Sequence, residues 1–368
     1  VEALESMVGT YRERYGNSSS AHRFGQAACD ALEGAREEFA ACIGAMPEEI
    51  VFTGGGTESD NLAIRGAAMA ARSHGDHIIT CATEHHAVLH CCQALEREGF
   101  RVTYLPVDAE GIIDMERFRE ALQERTVLVS VMLANNETGA LQPVREMSRM
   151  ARERGALFHC DAVQAAGKMR LDARELGADL IAFSGHKFYG PKGVGALFIR
   201  KGTRIVPIMQ GGHHENGLRP GTVNVPAIVG MTRALCLATA ELGETSARLG
   251  ALRERLASGI VERIDGVRRN GSAEHSLPNL LNLSFEGAEG EALQLALDMA
   301  GVAVSTGSAC TSGSLAPSHV LVALGVSPRI AQCRLWFFFG GYKNAEENGY
   351  VLYILPGIVE EIRGVLLV

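Results

Sequence analysis

Short apolar runs alternate with helical patterns between residues 50 and 200, and this alternation constrains the fold more than any other feature. Strands separated by amphipathic helices pair mostly in parallel, with helices covering both faces of the sheet. The predicted strands are Ile50–Thr53, His77–Cys81, Arg101–Val107, Thr126–Leu133, Ala156–Cys160, Asp179–Ser184 and Ala196–Arg200. The predicted helices include Glu58–Arg72, Ala87–Glu98, Met115–Gln123 and Val144–Arg154. We therefore predict an α/β fold in which a large domain carries a mostly parallel, seven-stranded sheet.

The pattern changes after residue 240. A long charged helix is predicted over Glu241–Ile264, and it is followed by a strand over Leu280–Phe285 and a helix over Glu289–Ala300. This mixture indicates a smaller α+β unit after the large one. The predicted division is a large domain at residues 1–242 and a small C-terminal domain at residues 243–368.

Composition excludes several classes of protein. The 368 residues are 46% apolar and 21% charged, which is typical of a folded globular chain. The net charge of −8 argues against nucleic-acid binding, and Ser, Thr, Gly and Pro interrupt the longest uncharged stretch, Met299–Pro328, so no membrane span is expected. Nine cysteines without a Cys-x-x-Cys pair argue against a disulfide framework and favour a reducing cytoplasm.

A glycine-rich turn follows the first predicted strand. It reads Thr-Gly-Gly-Gly-Thr-Glu-Ser over 53–59 and leads into a predicted helix. The free N–H groups at such a helix start are suited to binding a phosphate. The alternative is an ordinary capped turn, with Thr57 or Ser59 as the N-cap residue.

Two charged residues follow apolar strands, where ligands gather in open α/β sheets. Lys187 comes after Ser184-Gly185-His186 and before a Gly-Pro turn, and a partly buried lysine can form a Schiff base. Asp161 ends another strand, where a protonated pyridine nitrogen would be a suitable partner. The alternatives are a solvent-exposed loop lysine and an aspartate that caps a helix.

Cys310 and His85 complete the candidates taken from the residues alone. Cys310 lies in a segment of small residues, which leaves a thiolate accessible, so it is the best nucleophile among the nine cysteines. His85 follows a strand and could stack on an aromatic cofactor. A zinc site at His85, His86 and His90 is the alternative, but the chain has no His-Glu-x-x-His motif, so we predict no metal site.

Taken together, these segments closely resemble cysteine desulfurases of the NifS/IscS type, which are pyridoxal-phosphate (PLP) enzymes of the class-V aminotransferase family. Eight phrases match in the family's order: Gly-Gly-Thr-Glu-Ser (55–59), Glu-His-His-Ala-Val-Leu (84–89), Ala-Asn-Asn-Glu-Thr-Gly (134–139), Asp-Ala-Val-Gln (161–164), Ser-Gly-His-Lys (184–187), Gly-Pro-Lys-Gly-Val-Gly (190–195), Arg-Pro-Gly-Thr (219–222) and Gly-Ser-Ala-Cys-Thr-Ser (307–312). The resemblance implies the aminotransferase-like fold, fold type I.

The resemblance also implies roles for single residues. Lys187 would hold PLP covalently, Asp161 would pair with the ring nitrogen, and Gln164 would bond to the ring hydroxyl. His85 would stack on the ring and assist proton transfers. The expected phosphate ligands are Thr57, Ser184, His186 and the N–H groups of residues 56–58, joined by Thr222 from the neighbouring subunit of a homodimer. Asn136 and Arg334 would orient the substrate carboxylate.

The implied reaction converts L-cysteine to L-alanine and leaves a persulfide on Cys310. The sulfur would pass to an iron–sulfur scaffold or another acceptor protein, with nitrogenase-cofactor assembly as one destination. The Gly/Ser-rich segment around Cys310 favours the long-loop desulfurases over SufS-like enzymes and selenocysteine lyases. The alternatives are another class-V PLP enzyme, such as a selenocysteine lyase or an aminotransferase, and a non-catalytic sulfur carrier or scaffold.

Two departures from the family pattern motivate the non-catalytic alternative. Family members carry a Tyr-Leu-Asp-Asn-Ala segment before the first helix, and the sequence begins after it, so we expect the natural chain to start earlier. The stretch after Arg334 reads Leu-Trp-Phe-Phe-Phe-Gly-Gly over 335–341, which is far more aromatic than the family's usual Phe-Ser-Leu-Gly. Three consecutive Phe residues on a strand place at least one ring on each face.

Overall fold

The computed structural model describes residues 1–307 and 317–365 and divides the chain into two compact units. The first unit consists of Val1–Leu105, Asp114–Leu133 and Gln142–Leu242. The second consists of Pro106–Ile113, Ala134–Leu141 and Gly243–Val368. The sequence-based division at residue 242 differs from these units because it placed the two short segments, 106–113 and 134–141, in the large domain.

The first unit is built on a seven-stranded sheet in the order β1-β7-β6-β5-β4-β2-β3. Its strands are β1 Ile50–Thr53, β2 His77–Cys81, β3 Arg101–Leu105, β4 Thr126–Ser130, β5 Leu157–Asp161, β6 Leu180–Ser184 and β7 Gly195–Ile199. β3, β2, β4, β5 and β6 run parallel, whereas β7 is antiparallel to both of its neighbours. The predicted α/β fold with a mostly parallel seven-stranded sheet is confirmed.

Helices flank this sheet. They are α1 Glu2–Glu13, α2 Arg23–Cys42, α3 Gly56–Ala70, α4 His86–Arg97, α5 Met115–Ala121, α6 Val144–Glu153, α7 Ala173–Leu176 and α8 Val225–Ala240, with short 3₁₀ turns at Pro47–Glu49, Gly185–Phe188 and Glu215–Gly217. α3 presents Leu62, Ala63 and Ala67 to the sheet, and all three are buried. Small side chains at this face let the helix lie close to the strands, so the start of α3 is held at the carboxyl ends of β5 and β6.

The second unit has a three-stranded antiparallel sheet in the order β10-β9-β8. Its elements are α9 Leu242–Val261, β8 Val267–Arg269, β9 Leu280–Phe285, α10 Gly290–Met299, α11 His319–Ala323, α12 Pro328–Ala331, β10 Arg334–Phe338 and α13 Ala345–Val365, where α9 begins on the last residue of the first unit. The aromatic stretch forms β10 and its continuation. Leu335, Phe337 and Phe339 point into the apolar core of this unit, and Phe338 on the other face is 46% exposed.

Across the described ranges, no single helix is both long and apolar enough to cross a membrane.

Candidate active site

The start of α3 meets the carboxyl ends of β5 and β6 at Gly56. A Cβ atom at this position would lie 2.8 Å from the Val163 side chain and 3.2 Å from Cβ of Ser184. Only glycine fits such a close approach, since any larger residue would push the helix away from both strand ends. The predicted phosphate turn and the predicted Asp161 and Ser184 segments are therefore neighbours in the structure.

Asp161 is the last residue of β5 and is only 6% exposed. One carboxylate oxygen accepts a hydrogen bond of 2.8 Å from the backbone N–H of Val163. Burial raises the pKa of Asp161 to about 6, while the Val163 N–H and the charge of Lys187 act in the opposite direction. Within the described part of the chain, no Lys, Arg or His forms an ion pair with Asp161. A buried carboxylate of this kind is suited to a cationic partner.

Lys187 lies in the 3₁₀ turn Gly185–Phe188 that directly follows β6. The turn ends at Tyr189, whose φ of 68° is left-handed, and α8 packs behind it: a Cβ at Gly185 would meet the Met231 side chain at 3.0 Å. Lys187 is half-buried, and its charge contributes to the pKa of Asp161. The turn thus places the lysine amine in electrostatic reach of the buried acid.

Ser184 and His186 flank this turn and contact each other. The Ser184 hydroxyl lies 3.1 Å from Nδ1 of His186, and Ser184 is buried whereas His186 is exposed. The ring of His186 is partly shielded from water, and this partial burial, followed by the charges of Lys187, Lys168 and Lys192, lowers its pKa. Several cationic side chains therefore influence the residues next to the start of α3, as a phosphate site requires.

The start of α3 is anchored by Glu58 and Arg219. The Glu58 carboxylate accepts hydrogen bonds from the Gly54 N–H and from Nε of Arg219, both at 2.8 Å. The N-cap residue Gly55 has no side chain to cap the helix, so no side-chain cap bond satisfies its first N–H groups. Thr57 and Thr222 are both exposed. The alternative prediction of a Thr57 or Ser59 cap is wrong, because Ser59 bonds instead to the Ala196 carbonyl and to Thr53.

Gln164 follows Asp161 by three residues and is buried. Its side-chain oxygen accepts a hydrogen bond of 3.1 Å from Nζ of Lys168, which leaves its amide N–H₂ group to donate elsewhere. Burial and the charge of Lys187 lower the pKa of Lys168 to about 7. Lys168 was not singled out from the sequence, although its spacing of four residues from Gln164 is the spacing at which side chains meet on a helical turn.

His85 is the N-cap residue of α4, and its Nδ1 accepts from the Ala87 N–H at 3.1 Å. This bond fixes the orientation of the half-buried ring. The rings of His86 and His90 stack on each other with centroids 4.9 Å apart. Among the described residues, no group of three or more His, Cys, Asp or Glu side chains could hold a metal ion.

Sequence reasoning missed a buried polar cluster on the same sheet face as Asp161. His159 precedes Asp161 by two residues on β5, its Nδ1 lies 2.8 Å from the Ser130 hydroxyl, and its Nε2 lies 3.5 Å from the Asp60 carboxylate. Burial lowers the pKa of His159 to about 3. Burial, followed by the charges of Asp161 and Glu84, raises the pKa of Asp60 well above its ordinary value. The sequence feature that could have revealed this cluster is the alternation of side chains along a strand, which puts His159 and Asp161 on one face.

Asn136 and Arg334 belong to the second unit. Arg334 is 8% exposed, one of its terminal nitrogens donates to the Ala331 carbonyl, and its buried Nε has no partner among the described residues. Burial lowers the pKa of Arg334, and the charges of Glu137 and Glu291 partly compensate. The side-chain oxygen of Asn136 is also buried without a partner in the described chain. Unpaired buried polar atoms are costly, so these two side chains are suited to a polar ligand.

Cys310 lies outside the described residues, which stop at Gly307 and resume at residue 317. Among the described residues before it, Ser305 forms an isolated bridge with β10: the Ser305 and Trp336 backbones exchange two hydrogen bonds, of 2.6 and 3.2 Å. Trp336 also covers Gly307, because a Cβ at Gly307 would lie 2.4 Å from the indole ring. Trp336, from the aromatic stretch after Arg334, thus contacts the last described residues before Cys310 in the sequence.

The residues present fit PLP. In the first unit, an uncapped helix start is suited to the phosphate, a buried carboxylate is suited to the ring nitrogen, and an amine on a neighbouring turn is suited to the aldehyde. In the second unit, Asn136 and Arg334 carry buried polar atoms without partners.

Comparison with known proteins agrees with this geometry. The model of a family described as aminotransferase class-V matches residues 1–347. The chain belongs to the class-V aminotransferase family. Enzymes of this family depend on PLP, so the predicted family, the prediction of a PLP-dependent enzyme and the predicted cofactor are confirmed.

Curated proteins similar to this chain include cysteine desulfurases. The chain is 48% identical to cysteine desulfurase IscS of Dictyoglomus turgidum over 362 residues, which cover 98% of this chain and 92% of that protein. It is 47% identical to cysteine desulfurase IscS of Methanosarcina thermophila, with 98% and 89% covered. A solved NifS-like protein is 41% identical at a TM-score of 0.92, with 98% and 96% covered. A structure described as SspA in complex with cysteine is 37% identical at a TM-score of 0.82, with 93% and 96% covered.

Proposed function

We propose that this chain is a PLP-dependent cysteine desulfurase that removes sulfur from L-cysteine as a persulfide on Cys310 and releases L-alanine. The observation that carries this proposal is the buried Asp161 carboxylate, which lies beside the Lys187 turn and has no protein cation paired with it in the described chain. The high identity to IscS-type desulfurases over nearly the full length supports the same activity.

In the proposed site, PLP supplies an aldehyde that condenses with amines and a ring that withdraws electrons from the bonds of the attached substrate carbon. Lys187 would hold the cofactor through Nζ, and its amine would take the proton from the substrate Cα. The Asp161 carboxylate would keep a proton on the ring nitrogen, and Gln164 would donate its amide N–H to the ring hydroxyl. His85, whose orientation is fixed by the Ala87 N–H, would stack on the ring and assist proton transfer.

The phosphate group would be bound at the start of α3. Its ligands are the N–H groups of Gly56, Thr57 and Glu58 with the side chains of Thr57, Ser184 and His186. Glu58 contributes by position, because its carboxylate already holds the Gly54 N–H and Arg219. Thr222, in the same phrase as Arg219, is exposed and would reach the phosphate of the partner in a homodimer.

Asn136 and Arg334 would bind the substrate carboxylate. A guanidinium and a side-chain amide suit a carboxylate in shape and charge, and both residues carry a buried polar atom that lacks a partner in the described chain. The unpartnered Nε of Arg334 would donate to that carboxylate. Asn136 would donate through its side-chain N–H₂ group, because its oxygen can only accept a hydrogen bond.

The Cys310 thiolate would then attack the substrate sulfur. An S–S bond forms between the two sulfurs, the substrate C–S bond breaks with its electrons on carbon, and protonation of that carbon leads to alanine. The persulfide sulfur passes to an acceptor, for which we propose an iron–sulfur scaffold protein, with nitrogenase-cofactor assembly as one destination. Free thiols are required for this transfer, so we place the protein in the cytoplasm.

The test uses the holoenzyme and two cysteine variants. In Cys310→Ala, we expect PLP absorbance to be unchanged and sulfide release from L-cysteine to fall to background. Cys29→Ala, which changes a half-buried cysteine of α2, is the control and should retain sulfide release. Mass spectrometry of cysteine-treated protein should find one additional sulfur on Cys310. Full sulfide release by Cys310→Ala would refute the proposed role of this thiol.

The other class-V activities and the non-catalytic alternative make different predictions. An aminotransferase would convert an oxo acid with an amino donor in Cys310→Ala as well as in the unaltered protein, and a selenocysteine lyase would act on selenocysteine but not on cysteine. A non-catalytic scaffold would lack PLP linked to Lys187. Borohydride reduction followed by peptide mass spectrometry decides that point, since a reduced PLP adduct on Lys187 is expected for the enzyme and its absence would exclude our proposal.

A further inference from the structure

Two cysteines outside the candidate site lie against each other. Sγ of Cys42, the last residue of α2, is 3.1 Å from Sγ of Cys236 on α8, although the two residues are 194 positions apart in sequence. Both are partly exposed. No other pair among the described cysteines makes a sulfur–sulfur contact that would compete with this one.

The contact belongs to a packed interface between the two helices. Thr232 on α8 donates a hydrogen bond of 3.3 Å to the Ala35 carbonyl on α2. Cys236 lies one turn further along α8, and Cys42 lies two turns further along α2, so both thiols extend the same line of contact. Because backbone and side chain on both helices hold the pair together, bond formation requires only a small approach of the two sulfurs.

We propose that Cys42 and Cys236 form a reversible thiol–disulfide site in the PLP-binding unit, which closes to an intramolecular disulfide on reaction with a small-molecule disulfide of the glutathione type. In this reaction Cys236 attacks one sulfur of the small disulfide, whose S–S bond breaks and releases one thiol. Cys42 then attacks the mixed disulfide at the Cys236 sulfur and releases the second thiol. One S–S bond forms and one breaks, two electrons pass to the small disulfide, and the two protein protons end on its two thiols.

The positive charge of Arg233 acts on Cys236, which favours Cys236 as the attacking group. The hydrogen bond with Cys42 lowers the pKa of Cys236, Arg233 acts in the same direction, and burial and Glu38 oppose it. The same hydrogen bond, burial and Glu38 raise the pKa of Cys42. A thiol with a lowered pKa carries more thiolate, which is the form that attacks disulfides.

The site has a structural connection to the cofactor turn. α8 packs against the turn Gly185–Phe188 that carries Lys187, with Met231 on the Gly185 side and Ala238 against Gly167. A covalent link at Cys236 would tie α8 to α2 and restrict the unfolding of this layer. Since a disulfide that closes a long loop restricts the unfolded chain most, we expect the oxidised form to resist denaturation better.

The test is peptide mapping of the holoenzyme after oxidised glutathione, with free thiols blocked by alkylation before digestion. Trypsin cleavage after Arg36, Arg65, Arg233 and Arg248 leaves Cys42 alone in the peptide 37–65 and Cys236 alone in the peptide 234–248. We expect these two peptides to appear joined, at their summed mass less two hydrogen atoms, and to separate when a dithiol reductant is added. Separate glutathione adducts on Cys42 and Cys236, or no modification of either, would overturn the proposal.

Variants and stability provide the second readout. Cys42→Ser and Cys236→Ser should each lose the joined peptide, and in Cys42→Ser we expect a stable glutathione adduct on Cys236. Cys29→Ser, in the same helix as Cys42, should retain the joined peptide. Oxidation should shift the urea midpoint of the unaltered protein and of Cys29→Ser upwards and leave that of Cys42→Ser unchanged. Equal shifts in all of them would contradict a specific Cys42–Cys236 bond.

Discussion

The substitution Asp161→Asn separates the cost of the buried carboxylate from its proposed benefit. Asparagine has nearly the shape of aspartate and its side-chain oxygen can still accept the Val163 N–H, which in the structure lies 2.8 Å from the carboxylate. What it removes is the negative charge. In the absence of PLP that charge is buried without a paired cation in the described chain, so we expect the cofactor-free variant to be more stable than the unaltered protein at pH 8.

The size and sign of the effect follow from the pKa of Asp161. The folded value is about 6 against an ordinary value of 3.8, and this difference corresponds to about 3 kcal/mol. Between these two pH values the unfolded chain has released the Asp161 proton while the folded protein retains it. Stability therefore falls as the pH rises from 3.8 to about 6 and is constant above. Asp161→Asn removes this pH-dependent loss of stability. The free energy of unfolding of the variant should therefore exceed that of the unaltered protein by about 3 kcal/mol at pH 8, and the difference should vanish near pH 4.

The assay is urea unfolding of the cofactor-free protein at pH 4 and pH 8, repeated after PLP is added at pH 8. PLP should stabilise the unaltered protein more than Asp161→Asn, because only the carboxylate pairs with a protonated ring nitrogen. Asp179→Asn is a matched control: Asp179 is a buried carboxylate on the same unit that has Arg200 at 3.3 Å, and it should leave the PLP effect unchanged. A less stable Asp161→Asn at pH 8, or equal stabilisation of both proteins by PLP, would refute the reasoning.

Two further predictions concern the second unit. Arg334→Gln removes a charge-assisted contact worth about 1.5–3 kcal/mol. We therefore expect KM for L-cysteine to rise about 10- to 100-fold while PLP absorbance is unchanged. An unaltered KM would show that Arg334 does not bind the substrate. Gly307→Ala places a methyl group 2.4 Å from the Trp336 ring at a φ of 82°, so we expect about 1–3 kcal/mol of destabilisation in urea unfolding. Gly301→Ala, also at positive φ but with open space around it, is the control that isolates backbone strain from the clash.

The sheet of the first unit could be predicted because its signals are local. Each predicted strand is an apolar run between turn residues, and all seven are found with shifts only at their ends; β4, for example, ends at Ser130 although the apolar run continues to Leu133. The assignment of residues 106–113 and 134–141 could not be predicted in this way. Leu141 donates its N–H to the His275 carbonyl and Ala140 pairs with Ser276, so the contacts that join these segments to the second unit are distant in sequence.

The candidate site could be predicted to the extent that its residues follow strands. Asp161, Ser184 and Lys187 lie at or just after strand ends, where the topology of open α/β sheets collects ligands. Asp60 could not be found by this rule, since it reaches the site from the inner face of α3, and only the crossing of helix and strand brings it within 3.5 Å of His159. Helical periodicity shows that Asp60 is a charged residue on the otherwise apolar face of α3, but it does not identify His159 as the residue that Asp60 contacts.

The buried acids around Asp161 explain why the proposed cofactor and the stability of its site are linked. Burial is the main cause of the raised pKa values of Asp60 and Glu84, and the charge of Asp161 raises both further. Neutral carboxyl groups are therefore favoured at these buried positions when no cation is present. His159 does not supply the cation, because burial lowers its pKa to about 3 and leaves the ring neutral at ordinary pH. A protonated ring nitrogen at Asp161 would restore the carboxylate without requiring Asp60 or Glu84 to ionise. The same arrangement that destabilises the cofactor-free protein therefore increases its preference for a cationic ring over a neutral one.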